Sequence, residues 1–170
     1  MSKVREKIII RKAQITDFES LINLINALAD YEKLQRPDKE AQNRLKKDIF
    51  VPNPKIKVYL AELEAIHELP VQVGYAITCY LYSSFLALPT LYIEDIFVLP
   101  EYRRGGIGKE FLKFLAKVAL EEDCGRMEWM VLDWNKLAID FYEKIGAKKL
   151  TGWVPYRLTK EQLEKIVKEM

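Results

Sequence analysis

Residues 91 to 108, LYIEDIFVLPEYRRGGIG, carry two features capable of chemistry. Glu94 and Asp95 are adjacent carboxylates inside an otherwise apolar run, where unpaired charge is costly to hold. Such acids either pair with neighbouring Lys or Arg as structural groups, or they mark a functional site. On a regular strand the two side chains would point to opposite faces and need not share one role.

The second feature is Arg103-x-x-Gly106-x-Gly108, set at the start of a stretch with helical spacing. A strand that ends in a glycine turn and runs into a helix aims free main-chain N–H groups at one point, and the helix dipole adds partial positive charge there. That point attracts phosphate. Gly105, Gly106 and Gly108 admit an anion to the main chain, while Arg103 and Arg104 supply countercharge. A tight turn with solvated arginines accounts for the same six residues. A nucleoside-triphosphate loop is disfavoured, because Lys109 is followed by Glu110 instead of Ser or Thr. A dinucleotide fingerprint fails at Phe111, where a third glycine belongs.

Bulk properties narrow the choice. The 170 residues are 49% hydrophobic, enough for a real core and most simply one domain, 1–170. A net charge of +2 from nearly balanced acids and bases leaves no electrostatic footprint for nucleic acid. Cys79 and Cys124 have no metal-like spacing and read as buried thiols of a reducing compartment. The N-terminal apolar run is too short for a signal-peptide core, and no run approaches the roughly 20 residues of a membrane span. A soluble cytoplasmic protein without metal is expected.

The elements that would position these groups follow from periodicity. Ile8 to Ile10 read as a strand, and Thr16 with Glu19 forms a capping pattern ahead of a helix bearing Phe18, Leu21, Ile22, Ile25 and Leu28. Pro37 and Asp38 break it, and a polar helix over 38–49 follows. Segments 57–62 and 71–82 read as an antiparallel hairpin joined by a polar connection that holds His67, the single histidine and a surface residue by type. The run 91–99 leads through the glycine turn into a helix over 106–122, then a strand over 127–132. A short helix over 135–145 ends at Gly146, a last strand spans 147–158, and Thr159 with Gln162 caps a C-terminal helix. The class is α/β, with a mixed central sheet that combines antiparallel hairpins with a β-α-β unit and is flanked by helices.

LYIEDIFVLPEYRRGGIG (91–108), LDWNKLAIDFYEKIGA (132–147) and ADYEKL (29–34) together resemble the GNAT superfamily of N-acetyltransferases, in particular its spermidine/spermine and thialysine branch. The resemblance spans essentially the whole chain and implies the GNAT fold, whose order of strand, two helices, hairpin, strand, helix, strand, helix, strand agrees with the one above. It implies that the glycine loop, residues 103–109 (Arg103, Arg104, Gly105, Gly106, Ile107, Gly108 and Lys109), cradles the pyrophosphate of acetyl-CoA. The main chain of Ile96, Phe97 and Val98 would face the acetyl carbonyl and pantetheine amides, and Asn135 would reach the CoA arm besides capping its helix.

By the same resemblance, Glu94 acts as the catalytic carboxylate, directly or through water, and Asp95 binds the amine. Tyr31 and Glu32 lie near the substrate end of the first helix. Tyr142 stands where the family's tyrosine protonates the CoA sulfur, although its spacing with Ile139 and Ile145 also suits core packing. The implied reaction is direct acetyl transfer to a small cationic amine such as a polyamine, thialysine or a lysine-like amino acid, within a ternary complex and a homodimer. Alternatives are a GNAT enzyme that acetylates protein N-termini or lysines, and a non-catalytic acetyl-CoA sensor.

Overall fold

Five strands form one sheet in the order β1-β2-β3-β4-β5. The computed structural model describes residues 7–64 and 69–169, so His67 lies outside the described residues. The chain divides into two compact units between Met130 and Val131. The first contains β1 (Lys7–Lys12), α1 (Phe18–Glu32), α2 (Lys39–Ile49), β2 (Lys57–Glu64), β3 (Val71–Ser83), β4 (Leu88–Val98), α3 (Ile107–Glu121) and β5 (Arg126–Trp129). β1 to β4 pair antiparallel, while β5 pairs parallel with β4. Parallel neighbours need a crossover, and α3 supplies it, so the expected β-α-β unit is β4-α3-β5.

The sheet is buried on both faces. Tyr75, Ile77 and Phe97 pack with Leu21 and Leu24 of α1 and Ile49 of α2. Gly74, one residue before Tyr75, points the other way, and a Cβ there would stand 3.3 Å from the Phe111 ring of α3 and 2.5 Å from the Phe97 carbonyl. Only glycine lets β3, β4 and α3 meet this closely.

Local signals set the helix limits. Asp38 Oδ1 accepts the Ala41 N–H at 2.7 Å, capping α2 as its sequence implies. The Thr16–Glu19 cap does not form ahead of α1. Instead Asp17 Oδ2 accepts the Gln14 N–H at 2.7 Å, over a turn of 3-10 helix at Ile15–Asp17. The reason is Arg11, which donates to Asp17 at 2.7 and 2.9 Å and to Glu62 at 2.9 Å, with Gln72 donating to Asp17 at 2.8 Å. A charged, buried carboxylate with this many donors outcompetes a threonine hydroxyl.

The second unit contains α4 (Lys136–Lys144) and α5 (Lys160–Glu169). Asn135 Oδ1 accepts the Ala138 N–H at 3.3 Å, and Gly146, at φ +91°, ends α4 as expected. Thr159 and Gln162 exchange the two bonds of a capping box. The expected last strand over 147–158 is absent: these residues have no regular secondary structure, and 148–158 are exposed. A strand persists only beside another strand, this unit has none among the described residues, and Gly152 at φ +90° and Pro155 interrupt the segment.

The Arg11 guanidinium holds the Asp17 carboxyl down at about 2, against an unfolded value near 3.9. Its stabilisation is therefore complete above about pH 4 and lost as pH falls toward 2. Asp17→Asn is expected to cost about 2–3 kcal/mol at pH 7, with the gap from the parent closing between pH 4 and pH 2. Urea denaturation across that range checks it.

Candidate active site

The β3–β4 ladder pairs Ile77 with Asp95 and then Thr78 with Ile93, so Glu94 is an extra residue on β4. This is a β-bulge. It replaces the regular alternation expected from sequence, and it leaves Glu94 exposed and Asp95 half-buried. Two adjacent acids in an apolar strand are thereby separated by depth as well as by direction.

Asp95 lies against Tyr75, a fully buried residue of β3 whose hydroxyl donates to Oδ2 at 3.2 Å. Burial, the largest influence, pushes the Asp95 carboxyl up to about 6; the Tyr75 hydrogen bond opposes this, and the negative charges of Glu94 and Glu32 add to it. Burial also raises Glu32, in the last turn of α1. The fold thus brings two of the sequence-nominated acids, Glu32 and Glu94, within electrostatic reach of a third, Asp95.

Tyr31 is joined to this group through rings. Its centroid is 6.3 Å from that of Phe97, which is 6.3 Å from that of Tyr75. The Arg103 guanidinium lies 4.5 Å from the Tyr31 centroid and 5.4 Å from that of Phe97, while its Nε donates to the Val98 carbonyl at 2.9 Å. Arg103 therefore braces the glycine loop against β4 and α1 as well as lending it charge.

The loop itself suits an anion. Arg104 and Gly106 both adopt left-handed backbone, at φ +66° and +91°, and no side chain caps α3. The first main-chain bond of the helix runs from the Glu110 N–H to the Gly106 carbonyl, leaving the N–H groups of Ile107, Gly108 and Lys109 ahead of it without helical acceptors. A Cβ on Gly106 would have nothing within 4 Å, so the space beside the main chain is open. The β4–β5 ladder ends at the Ile93–Trp129 pair, and the β5-side edge of β4 from Glu94 to Val98 has no strand beside it among the described residues. Leu99 donates its N–H to the Val73 carbonyl, so Phe97, two residues earlier, turns its main chain to β3, and the main chains of Ile96 and Val98 turn to the open edge.

Asn135 and Tyr142 belong to the second unit. Asn135 caps α4. Tyr142 is half-buried beside Phe141, with ring centroids 5.5 Å apart, and burial pushes its phenol up to about 12. Burial, aided by the nearby Glu94 charge, raises the Cys79 thiol. Among the described residues no group of three or more His, Cys, Asp or Glu side chains could hold a metal ion, and no helix is long and apolar enough to cross a membrane.

Sequence reasoning missed Tyr75 and the bracing by Arg103. Tyr75 follows Gly74 in a run that reads only as apolar strand, and nothing but the register of β3 against β4 places its hydroxyl on Asp95.

A mixed sheet with a bulged strand, an open strand edge and a glycine turn at a bare helix N-terminus forms a site suited to an anionic ligand laid beside a strand. The model of the Acetyltransferase (GNAT) family matches residues 19–147, a span that crosses both units. The chain belongs to that family and is an acetyltransferase, and acetyl-CoA is the family's co-substrate. It is 36% identical over 165 residues to thialysine N-epsilon-acetyltransferase of Sus scrofa, covering 94% of this chain and 96% of the relative. It is 46% identical over 98 residues to L-ornithine N5-acetyltransferase of Arabidopsis thaliana, covering 58% of this chain and 43% of that protein. Among solved structures, an integron cassette protein from the mobile metagenome of V. cholerae superposes with a TM-score of 0.78 at 24% identity, covering 95% of this chain and 98% of that one. That likeness concerns the fold.

Because space beside Gly106 is open and only its φ is restrictive, Gly106→Ala acts through backbone strain of about 1–2 kcal/mol. Calorimetry is expected to show acetyl-CoA binding weakened about tenfold, with melting of the free protein lowered by only a few degrees.

Proposed function

We propose that this acetyltransferase acetylates the amine of a small cationic, lysine-like substrate by direct attack within a ternary complex. The observation that carries this reading is the acid constellation at the bulge: Asp95 half-buried on Tyr75, with Glu94 and Glu32 close enough to raise its affinity for a proton. Three carboxylates around one point suit an amine whose carrier has a further positive charge. Relatives that bear the names of thialysine and ornithine acetyltransferases support that class.

Acetyl-CoA would supply the acetyl thioester, held by the glycine loop, the α3 N-terminus and the open β4 edge. The substrate arrives as an ammonium and must lose a proton before its nitrogen can attack. Asp95, at about 6, is ionised at neutral pH and accepts that proton, directly or through water. Glu94, exposed on the bulge, receives the substrate's charge and relays water to the same point. These roles exchange the ones implied by resemblance. The new C–N bond forms as the C–S bond breaks, and the second proton on nitrogen passes through water to the departing thiolate, which leaves as the free thiol.

In the role implied by resemblance, Tyr142 assists the departing thiolate. With its phenol at about 12, it remains protonated at working pH and stabilises a thiolate of pKa near 8.5 chiefly as a hydrogen-bond donor. No cysteine acyl intermediate is involved, since the raised Cys79 thiol is a poor nucleophile at neutral pH.

Thiol release from acetyl-CoA is measured with thialysine, ornithine, lysine, spermidine and a short peptide. Release with the amino acids supports the reading, whereas transfer to the peptide alone overturns it. For the parent, kcat/KM should fall as pH drops through about 6. Asp95→Asn is expected to remove this limb and lower the rate about 10²-fold or more, while Glu94→Gln keeps the limb and raises KM for the amine. Tyr142→Phe should lower kcat about 10- to 100-fold with little change in KM.

A further inference from the structure

We propose that Tyr75 is a positioning residue of the reaction: its buried hydroxyl holds the Asp95 carboxylate in the orientation in which it receives the substrate's proton. The proposal rests on the reading of Asp95 as the base. Tyr75 has no exposed surface, and its ring packs in the core with Leu21, Leu24, Leu60 and Phe97. Phenylalanine would meet every one of those packing demands. The hydroxyl is what distinguishes tyrosine here, and it donates to Asp95 Oδ2 at 3.2 Å.

The register explains how the two meet. Tyr75 pairs with Phe97, and Asp95 lies two residues before Phe97 on the same face of β4. The bulge at Glu94 ends just before Asp95, so the carboxylate sits where the strand changes direction and needs an external restraint. Tyr75, immobile in the core, provides it. A rotating carboxylate would meet the amine in many orientations; one tethered at Oδ2 leaves Oδ1 to face the substrate.

The groups that face Asp95 are Tyr75 from β3, Glu32 from α1 and Glu94 from β4 itself. The two glutamates bring negative charge, which favours the protonated form of Asp95. The Tyr75 hydrogen bond favours the ionised form. Removing the hydroxyl therefore leaves burial and like charge unopposed and makes Asp95 harder to ionise.

The test is Tyr75→Phe, with melting curves to establish that the fold is kept. The acid limb of kcat/KM should move up by about one pH unit. At pH 7 the rate should drop about twofold, the share of Asp95 left protonated by that move, while KM for the amine holds, and this loss should disappear by pH 9. Carboxyl-carbon NMR of Asp95 should show the same upward displacement in the free protein, without reference to turnover. As a second variant, a ring-fluorinated tyrosine at position 75 is a stronger donor and should move the limb down.

An unchanged limb and unchanged NMR titration in Tyr75→Phe overturn the proposal, and so does a uniform loss of rate at every pH. If Asp95→Asn keeps the limb, the base reading itself fails, whatever Tyr75→Phe does. If Asp95→Asn removes the limb and Tyr75→Phe leaves it in place, only the role of Tyr75 is overturned.

Discussion

The cost of holding a carboxylate inside an apolar sheet without a cation beside it governs this structure. Asp17 and Asp95 are the same residue in two such environments. Asp17 has the Arg11 guanidinium at 2.7 Å and is held down at about 2, where it is fully ionised and serves only stability. Asp95 has a neutral phenol and two negative neighbours, and it is pushed up to about 6. The guanidinium on one side and burial with negative neighbours on the other separate a structural acid from one that can exchange a proton near neutral pH.

The bulge at Glu94 is how β4 tolerates its acids. A regular strand would place one of them fully against the core on either face. The extra residue puts Glu94 in water and leaves Asp95 at the margin of the core, just past the point where the β5 ladder ends. The same irregularity that relieves burial thus sets the acids beside an open strand edge. Energetic relief and chemical use coincide at one position.

Arg103 links this acid group to the phosphate-binding turn. Its Nε bond to Val98 and its stacking on Tyr31 and Phe97 join the end of β4, the end of α1 and the loop before α3. A lysine would carry the same charge but not the planar face, so the arginine is not interchangeable there. Gly74 serves the same region from the opposite face, where its missing Cβ allows β3 and β4 to close up under Phe111.

Much of this was legible in the sequence, because it depends on residues near one another along the chain. The break at Pro37 and Asp38, the end of α4 at Gly146, the Thr159–Gln162 box and the glycine turn before α3 are local, and each formed where its residues stand. The two adjacent acids were visible as a conflict between charge and apolar surroundings. How the conflict is relieved was not, since a bulge is a relation between two strands and the Tyr75–Asp95 bond joins residues 20 apart. The cap expected at Thr16 lost to Asp17 because Arg11 and Gln72 donate to it from two strands. The strand expected over 147–158 did not form because strand propensity needs a neighbouring edge, and no strand among the described residues of its own unit offers one. Sequence determines what each segment can become; pairing, depth and charge environment arise only when distant segments meet.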